Sequence, residues 1–237
     1  MRILLTSDLH YNLRQYDWII QAASAFDAVA IAGDHLDASL PVPSHVQIAA
    51  LRASFQAIAA NAPLMVCSGN HDLNSRNAAG EMTAGWLTES PLPRVAVDGD
   101  SIEVRDHLFT VCPWWEGPAT QAEVEQLLAA AAARRRGPWI WIYHAPPHGP
   151  LSWNGRRHLG DSLLPTLIER HRPYAVLCGH IHEAPFYEAG SWIERLGETW
   201  LFNAGHQPGD VPARVEIDLG KGRARWITSE GEEAQAL

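Results

Sequence analysis

The sequence predicts an α/β fold in which a parallel-rich sheet packs on a second sheet and helices cover the outer faces. Over the first two-thirds of the chain, apolar runs of strand length alternate with helical patterns, as in parallel sheets. The last third contains short strands joined by glycine-containing turns, which favours antiparallel pairing in a second sheet. The 237 residues, 46% of them hydrophobic, suit one large domain over residues 1–237.

Three apolar runs in the first part of the chain are predicted strands, and polar residues follow each of them. The runs are Arg2–Thr6, Ala28–Ala32 and Leu64–Cys67. Helices are predicted over residues 15–25 and 44–60. The second helix is predicted to open with a capping box, in which Ser44 and Gln47 satisfy each other's backbone N–H groups.

The middle of the chain carries a hairpin signal. Asp98 and Gly99 stand between two strand-like segments, 94–97 and Ser101–Val104, and Asp-Gly between strands is typical of a tight β-turn. We therefore expect these two strands to pair with each other.

The rest of the chain continues the alternation of strands and helices. Thr120 and Glu123 form a second capping box, which predicts the start of an alanine-rich helix over residues 120–136. The remaining predicted elements are a helix within 78–87, a strand at His107–Val111, a strand at 139–143, a loop to 160, a helix at 161–170, and strands at 174–177, 191–196, 199–202, 213–219 and 223–228.

The charge balance bears on which partners the protein can have. Eighteen basic and 27 acidic residues give a net charge of −9, which disfavours broad contact with a nucleic-acid backbone. Arg134, Arg135 and Arg136 are a candidate basic patch that keeps nucleic acid open as a partner. We favour a structural interpretation of this triplet, because cations at the C-terminal end of a helix complement its dipole.

Targeting signals and cysteine spacing bear on the compartment. No secretory leader is recognised, since Arg2 precedes only three apolar residues, and no apolar run approaches membrane-spanning length. Cys67, Cys112 and Cys178 have no metal-type spacing, and each ends a strand-like run. Buried free thiols in a reducing compartment are the expected state. The prediction is a cytoplasmic protein without membrane association.

Side chains able to hold a metal follow five predicted strands. They are Asp8 and His10, Asp34, Asn70, His144, and His180 with His182. A turn is an equally good interpretation of any one such site, for example Gly69-Asn70-His71-Asp72. Ligands in an open α/β sheet gather outside the carboxyl ends of its strands, so five such exits favour one shared site.

The donor set narrows the choice of metal. Three oxygen donors, four imidazoles and no thiolate suit manganese, iron, cobalt, nickel or zinc, and are too rich in nitrogen for calcium or magnesium alone. Seven ligands exceed what one ion normally takes. Two ions that share a carboxylate would use all seven, and such pairs serve in-line displacement at phosphorus.

The motifs together resemble the calcineurin-like metallophosphoesterases. The resemblance covers residues 2–206 and rests on Asp-x-His at 8–10, Gly-Asp-x-x-Asp at 33–37, Gly-Asn-His-Asp at 69–72, His144 and Gly-His-x-His at 179–182. It implies a four-layer α/β/β/α sandwich of two mixed sheets, with the metal site at the C-terminal edge of the strands. It also implies two divalent ions per chain, with manganese preferred over iron, zinc, nickel or cobalt.

The resemblance implies a role for each candidate residue. Asp8, His10 and His182 would hold the first metal, Asn70, His144 and His180 the second, and Asp34 would bridge both. A hydroxide between the metals would attack phosphorus. His71 would stabilise or protonate the leaving oxygen, Asp72 would orient His71, and Asp37 would support a ligand without binding metal.

Other residues are candidates for substrate contact. They are Trp114, Trp115, His148, Arg156, Arg157 and His206, for each of which packing or solvation is the competing interpretation. His35 matches no ligand position and is expected to face solvent. The family often has Asn-Pro-Gly-Ser where this chain has Asn203-Ala204-Gly205-His206, and this departure weakens any family role carried over to that loop.

The function expected from the resemblance is hydrolysis of phosphate esters. Diesters are favoured, because residues 179–185, Gly-His-Ile-His-Glu-Ala-Pro, are similar to small bacterial phosphoesterases related to cyclic-nucleotide phosphodiesterases. A phosphomonoesterase or a repair-type nuclease is the alternative enzyme. A scaffold subunit that has lost its ligands is disfavoured by the intact ligand set. The expected partner is a small phosphate ester, and the oligomeric state is open.

Overall fold

The computed structural model describes residues 1–237, which form two large mixed sheets, one small hairpin and five α-helices. The helices are α1 (Leu13–Ala22), α2 (Ser44–Asn61), α3 (Gly85–Thr88), α4 (Pro118–Arg134) and α5 (Leu164–His171). The strands are β1 (Arg2–Thr6), β2 (Ala28–Ala32), β3 (Leu64–Cys67), β4 (Ser75–Arg76), β5 (Met82–Thr83), β6 (Val95–Ala96), β7 (Ser101–Val104), β8 (His107–Val111), β9 (Trp139–Ile142), β10 (Ala175–Cys178), β11 (Ile193–Leu196), β12 (Thr199–Asn203), β13 (Arg214–Asp218), β14 (Arg223–Ile227) and β15 (Glu232–Ala236).

The first sheet has the strand order β15-β14-β13-β1-β2-β3-β6. Strands β1, β2, β3 and β6 run parallel, and β13 to β15 add an antiparallel extension beside β1. Every residue of β2 is buried, and the continuous apolar run of that strand is typical of a parallel strand covered on both faces.

The second sheet has the strand order β11-β12-β10-β9-β8-β7. Its four central strands run parallel, and β11 and β7 pair antiparallel at the two edges. The carboxyl ends of parallel strands in both sheets therefore supply the loops that carry the candidate ligands.

Three apolar clusters define the layers. One cluster of 22 buried residues lies between the sheets, where Leu5 and Met65 of the first sheet join Phe109 and Ile140 of the second. A second cluster packs α1 and α2 on the first sheet, and a third packs α4 and α5 on the second sheet. The fold is thus the four-layer α/β/β/α sandwich expected from the sequence.

The predicted elements of the sheet centres are confirmed. Five strands, β1, β2, β3, β7 and β8, have the predicted bounds, and the bounds of the other predicted strands differ from the observed ones by one or two residues. The predicted helix 15–25 is α1 followed by a 3-10 turn at Ala23–Ala25.

The hairpin predicted at Asp98-Gly99 is wrong. Strand β6 pairs parallel with β3 in the first sheet, whereas β7 pairs with β8 in the second. The segment between β6 and β7 therefore crosses between the sheets. Asp98 holds the crossing in place, since its carboxylate accepts the N–H of Ser68 at 2.8 Å.

Both predicted capping boxes are also wrong. Helix α2 starts after Pro43, and the side chain of Gln47 bonds the backbone of Asp37 and Val42 instead of Ser44. Helix α4 starts after Gly117, two residues earlier than predicted, because the carboxylate of a distant residue, Glu81, accepts the N–H groups of its first turn.

Other regions also depart from the sequence-based expectation. The region expected to be partly helical over 78–87 is mostly the β4–β5 hairpin, with helix limited to α3. The last-third strands divide between the sheets, so β13 and β14 extend the first sheet together with β15, which was not predicted. Arg134 lies in the last turn of α4, where the structural interpretation of the arginine triplet placed it. Arg135 donates instead to the main-chain carbonyls of His171 and Arg172, at the end of α5.

Two further expectations concern helices and thiols. None of the helices has both the length and the apolar composition that crossing a bilayer requires. All three cysteines are buried free thiols, as predicted.

Candidate metal centre

The predicted ligands meet at the carboxyl ends of the central strands and form two groups. Ligand atoms of Asp8, His10, Asp34 and His182 lie within 4.8 Å of one another, as do those of Asp34, His144 and His180. Asp34 belongs to both groups. Six of the seven predicted ligands therefore come together around one shared carboxylate.

The first group brings nitrogen and oxygen lone pairs close together. Nε2 of His10 lies 3.1 Å from Nε2 of His182, which lies 3.3 Å from Oδ1 of Asp8. Both carboxylate oxygens of Asp8 also accept the backbone N–H of His180, at 3.1 and 3.0 Å. These hydrogen bonds hold the loop after β1 against the loop after β10.

In the second group, one ring nitrogen of His144 is held by the backbone and the other faces the shared carboxylate. Nδ1 of His144 lies 2.6 Å from the carbonyl oxygen of Ala32, which only accepts, so Nδ1 carries the hydrogen. The lone pair of the neutral ring is then at Nε2, 3.3 Å from Oδ2 of Asp34. This is the arrangement usual in metal-binding histidines, whose other nitrogen donates to a fixed acceptor.

Asn70, the seventh predicted ligand, adds a second indication of a cation. Its Oδ1 is buried and has no hydrogen-bond partner, and the same holds for Nε2 of His144. Buried polar atoms without partners are uncommon and call for an explanation such as an ion. The donor atoms therefore fit a metal centre.

The backbone at the ligands is strained. Positive φ angles occur at Asp8 (54°), His10 (42°), Asp34 (55°) and His180 (68°), a conformation that non-glycine residues rarely adopt. Each such residue costs of order 1–3 kcal/mol, and such residues cluster at functional sites. Four of seven candidate ligands share this property.

Glycines allow the loops to approach the ligands. A Cβ on Gly33, whose φ is +86°, would lie 2.3 Å from Nδ1 of His144. A Cβ on Gly69 would lie 2.2 Å from Oδ1 of Asp34. The glycine of each motif thus leaves the space that the ligand side chains occupy.

The electrostatics of the site also suit a metal. Burial opposes ionisation of Asp34, but the positive charge of protonated His144, whose Nε2 lies 3.3 Å away, holds the pKa of Asp34 below its usual value. Burial lowers the pKa of His144, yet Asp34 and Asp8 raise it overall to about 9. Burial and the charge of His144 lower the pKa of His180 to about 4. A bound cation would therefore displace a proton from His144 and find His180 neutral.

His71 lies beside the ligands without joining either group. Its exposed ring is 5.0 Å from the ring of His10, centroid to centroid, and its backbone N–H donates to Oδ1 of Asp34 at 2.9 Å. This position suits a side chain that meets a substrate over the shared carboxylate.

The structure corrects the expected role of Asp72. The carboxylate of Asp72 accepts backbone N–H groups of His35, Leu36 and Gly69, at 2.8 to 3.0 Å, and makes no hydrogen bond with the ring of His71. Asp72 is fully buried and joins the loop after β2 to the loop after β3. It braces two ligand-bearing loops rather than orienting His71.

The expectations for Asp37 and His35 are corrected as well. The carboxylate of Asp37 accepts from the backbone and hydroxyl of Ser39, so it supports its own turn and no ligand. His35 is fully buried instead of solvent-facing, and its ring contacts the hydroxyl of Tyr16 at 3.0 Å and the carbonyl oxygen of Cys67 at 2.9 Å. Burial of His35 fixes the loop that carries Asp34.

The two neighbouring tryptophans point to different places. The ring of Trp114 lies 5.6 Å from that of His144 and 5.4 Å from that of His180, at the second ligand group. The indole N–H of Trp115 donates to Tyr143 and Asp161, away from the ligands. Trp114 therefore stays a candidate for substrate contact, and the packing interpretation holds for Trp115.

Of the remaining candidates for substrate contact, one lies at the ligands and three do not. His206 lies at the first group, 5.0 Å from the ring of His182. His148 is exposed and pairs with the ring of His158 at 5.0 Å. Arg156 and Arg157 are exposed in a turn in which both backbone N–H groups donate to Asn154. None of these last three contacts a candidate ligand.

One positioning residue was missed by the sequence analysis. The hydroxyl of Ser68 accepts a hydrogen bond from the backbone N–H of Trp114 at 2.9 Å. The backbone N–H of Ser68 donates to the carboxylate of Asp98. Ser68 therefore fixes Trp114 beside the second ligand group. Its place directly before Gly69-Asn70-His71-Asp72 was the only sequence signal.

Comparisons with known proteins agree with this geometry. The family model of calcineurin-like phosphoesterases matches residues 1–184. The crystal structure of TT1561 of Thermus thermophilus shares 18% identity over 99% of this chain and 98% of its own, with a TM-score of 0.62. The purple acid phosphatase PPD1 from yellow lupin (Lupinus luteus) seeds shares 15% identity over 100% of this chain and 53% of its own, with a TM-score of 0.61. No curated protein matches the chain. At such identities the structural likeness shows the fold.

Proposed function

The chain belongs to the calcineurin-like phosphoesterase family, whose members hydrolyse phosphoesters with metal ions, and we propose that it is a phosphodiesterase with a dinuclear metal centre. The sharing of Asp34 between two ligand groups carries this proposal. When bound, two divalent ions would supply Lewis-acid stabilisation of the phosphoryl oxygens and activation of water. Phosphomonoesters and nucleic acid remain the alternative substrates.

Each protein side chain has a proposed part in the centre. Asp8, His10 and His182 would hold one ion, Asn70, His144 and His180 the other, and Asp34 both. The buried, unpaired oxygen of Asn70 and the lone pair of His144 support the second set. Manganese is the preferred ion, with iron, zinc, nickel or cobalt as alternatives, because the set mixes oxygen and imidazole nitrogen without thiolate.

His71 is proposed to act on the leaving group. Its backbone is fixed to the shared carboxylate while its ring is exposed, so the ring can reach a substrate that lies over Asp34. We propose that His71 stabilises the leaving oxygen and donates a proton to it as the phosphorus–oxygen bond breaks.

The proposed preference for a diester rests on the last motif. Residues 179–185, Gly-His-Ile-His-Glu-Ala-Pro, are similar to small bacterial phosphoesterases related to cyclic-nucleotide phosphodiesterases.

A substrate panel tests the proposal. Manganese-loaded protein would be assayed with a nitrophenyl diester, the matching monoester, cyclic nucleotides, dinucleotides and single-stranded DNA. The diester and at least one cyclic nucleotide or dinucleotide should be hydrolysed faster than the monoester. Asp34→Asn and chelator-treated protein serve as controls for contaminating activity. Faster monoester hydrolysis would make the protein a phosphatase, and turnover of DNA alone would make it a nuclease.

The compartment is part of the proposal. Three buried free thiols and no disulfide are what a protein of the reducing cytoplasm is expected to have. We also propose that residues 1–237 act as one domain, because the cluster between the sheets draws on residues from Ile3 to Trp226.

A further inference from the structure

His206 lies at the first ligand group without belonging to it. Its ring centroid is 5.0 Å from that of His182 and 5.8 Å from that of His10, and those two ligand rings are themselves 5.0 Å apart. His206 is absent from the set of ligand atoms that lie within 4.8 Å of one another. His206 therefore lies beside the candidate ligands of the first group and outside both groups.

The loop that carries His206 is fixed to the metal-site loops. The backbone N–H of His206 donates to the carbonyl of His182 at 3.2 Å. Gly205 has a φ of +69°, and a Cβ there would lie 2.9 Å from the same carbonyl oxygen. Buried Asn203 accepts the N–H of Gly205 and donates to the carbonyl of Ile181. The imidazole is thus presented from a rigid support.

The hydrogen bond of His206 fixes which nitrogen is free. Nδ1 lies 2.7 Å from the carbonyl oxygen of Asp8, which only accepts, so Nδ1 carries the hydrogen. In the neutral ring, the lone pair is then at Nε2, as in His144. Bracing Asp8 needs Nδ1 alone, so that contact leaves Nε2 unused.

We propose that His206 is a further catalytic residue, whose Nε2 accepts a hydrogen bond from the water that attacks phosphorus. This inference rests on the proposed phosphoesterase function. His206 orients the water and itself forms or breaks no covalent bond. An acceptor nitrogen suits a water or hydroxyl donor, and it does not suit the phosphoryl oxygens, which also accept.

Two substitutions separate the functions of the two ring nitrogens. In His206→Asn, the side-chain amide can still donate to the carbonyl of Asp8, but nothing replaces Nε2. In His206→Ala both contacts are lost. His45→Asn, at an exposed position of α2, is the matched control for the chemical change. Each protein would be loaded with manganese and compared for metal content, thermal stability, kcat and KM on the diester substrate.

The expected result is a specific loss of rate. His206→Asn should keep both metal equivalents and wild-type stability while kcat falls about 10-fold or more and KM stays within about 2-fold, because a hydrogen bond to reacting groups is lost. His206→Ala should show at least the same loss of kcat together with a lower melting temperature. His45→Asn should match the wild type.

Other results would overturn the inference. Wild-type kcat in His206→Asn would reduce His206 to a brace for Asp8, and lost metal would make it a ligand. A raised KM with unchanged kcat would make it a contact to the bound substrate rather than to the attacking water. A wild type inactive on every ester would remove the proposed function and this inference together, whereas an active wild type with an unimpaired His206→Asn variant would remove this inference alone.

Discussion

The backbone N–H of His71 donates to Oδ1 of Asp34 at 2.9 Å. The carboxylate shared by the two ligand groups therefore also holds the loop that presents the proposed acid. Asp34 thus links the arrangement of the metal ligands to the position of His71, the side chain proposed to act on the leaving group. Predictions about either function can be tested at this pair.

Two metal equivalents per chain are expected. The two ligand groups, together with the unpaired oxygen of Asn70, provide donors for two ions. Elemental analysis of protein loaded with manganese and passed over a desalting column would measure the ratio. A ratio below one in protein that is fully folded by circular dichroism would contradict the dinuclear centre.

Asp34→Asn should lose both metals or nearly all activity, because one side chain serves both groups. Asp37→Ala, the matched carboxylate on the same loop, should keep its metals and stay within a few-fold of the wild-type rate, since Asp37 bonds only Ser39. Metal content and kcat of the two variants would be compared. Similar losses for both would show that Asp34 is not the shared ligand.

Asp98 should make stability depend on pH. Burial, with added repulsion from Asp72 and Asp100, raises the pKa of Asp98 to about 7 against the opposing hydrogen bonds of Ser68. A raised folded-state pKa gives stability that is fully present below pH 4 and lost as pH rises to 7. The Asp98→Asn variant does not titrate at this position and should not lose stability in this way as pH rises. Its side-chain oxygen can still accept the N–H of Ser68.

Urea unfolding of metal-free protein at pH 5 and pH 8 would measure the effect of Asp98. Between these values, the free energy of unfolding of the wild type should fall relative to Asp98→Asn by about 2 kcal/mol, from the size of the pKa shift. All other titrations are common to both proteins and cancel. A constant difference between the two proteins would show that Asp98 titrates normally.

The sheet centres were predictable because their signal is local. Ala28–Ala32 and Leu64–Cys67 are continuous apolar runs, and burial on both faces demands that composition. The hairpin at Asp98-Gly99 failed because pairing partners are set by tertiary contacts that a turn signal does not encode. Ser68 and the neighbouring sheet hold that crossing, and both lie far away in sequence. The start of α4 was missed for the same reason, since Glu81 supplies its cap.

The grouping of the candidate ligands was predictable because parallel strands present their exits at one edge. Their supporting residues were not. Asp72 follows His71 directly, which suggested that it orients that ring, yet its carboxylate reaches across to the loop of His35. His35 looked like a loop residue in sequence, but Tyr16 and the carbonyl of Cys67 bury it. Long-range hydrogen bonds of this kind leave no pattern in neighbouring residues.

His71→Ala should keep its metals yet lose rate. The contact to Asp34 uses the backbone N–H of residue 71, which alanine retains, so the ligand geometry should survive. General acid catalysis typically contributes about 10²–10⁴-fold. A poor alkoxide leaving group needs the proton and should show the large deficit, whereas p-nitrophenolate departs without one and should show a small deficit.

The measurement is kcat for both leaving groups in wild type and His71→Ala, with metal content checked in the same samples. Equal deficits would mean that His71 stabilises charge in the transition state without donating a proton, because charge stabilisation acts on both substrates alike. Lost metal would instead make His71 a ligand. Because the exposed ring of His71 belongs to neither ligand group, we expect both metals to be retained.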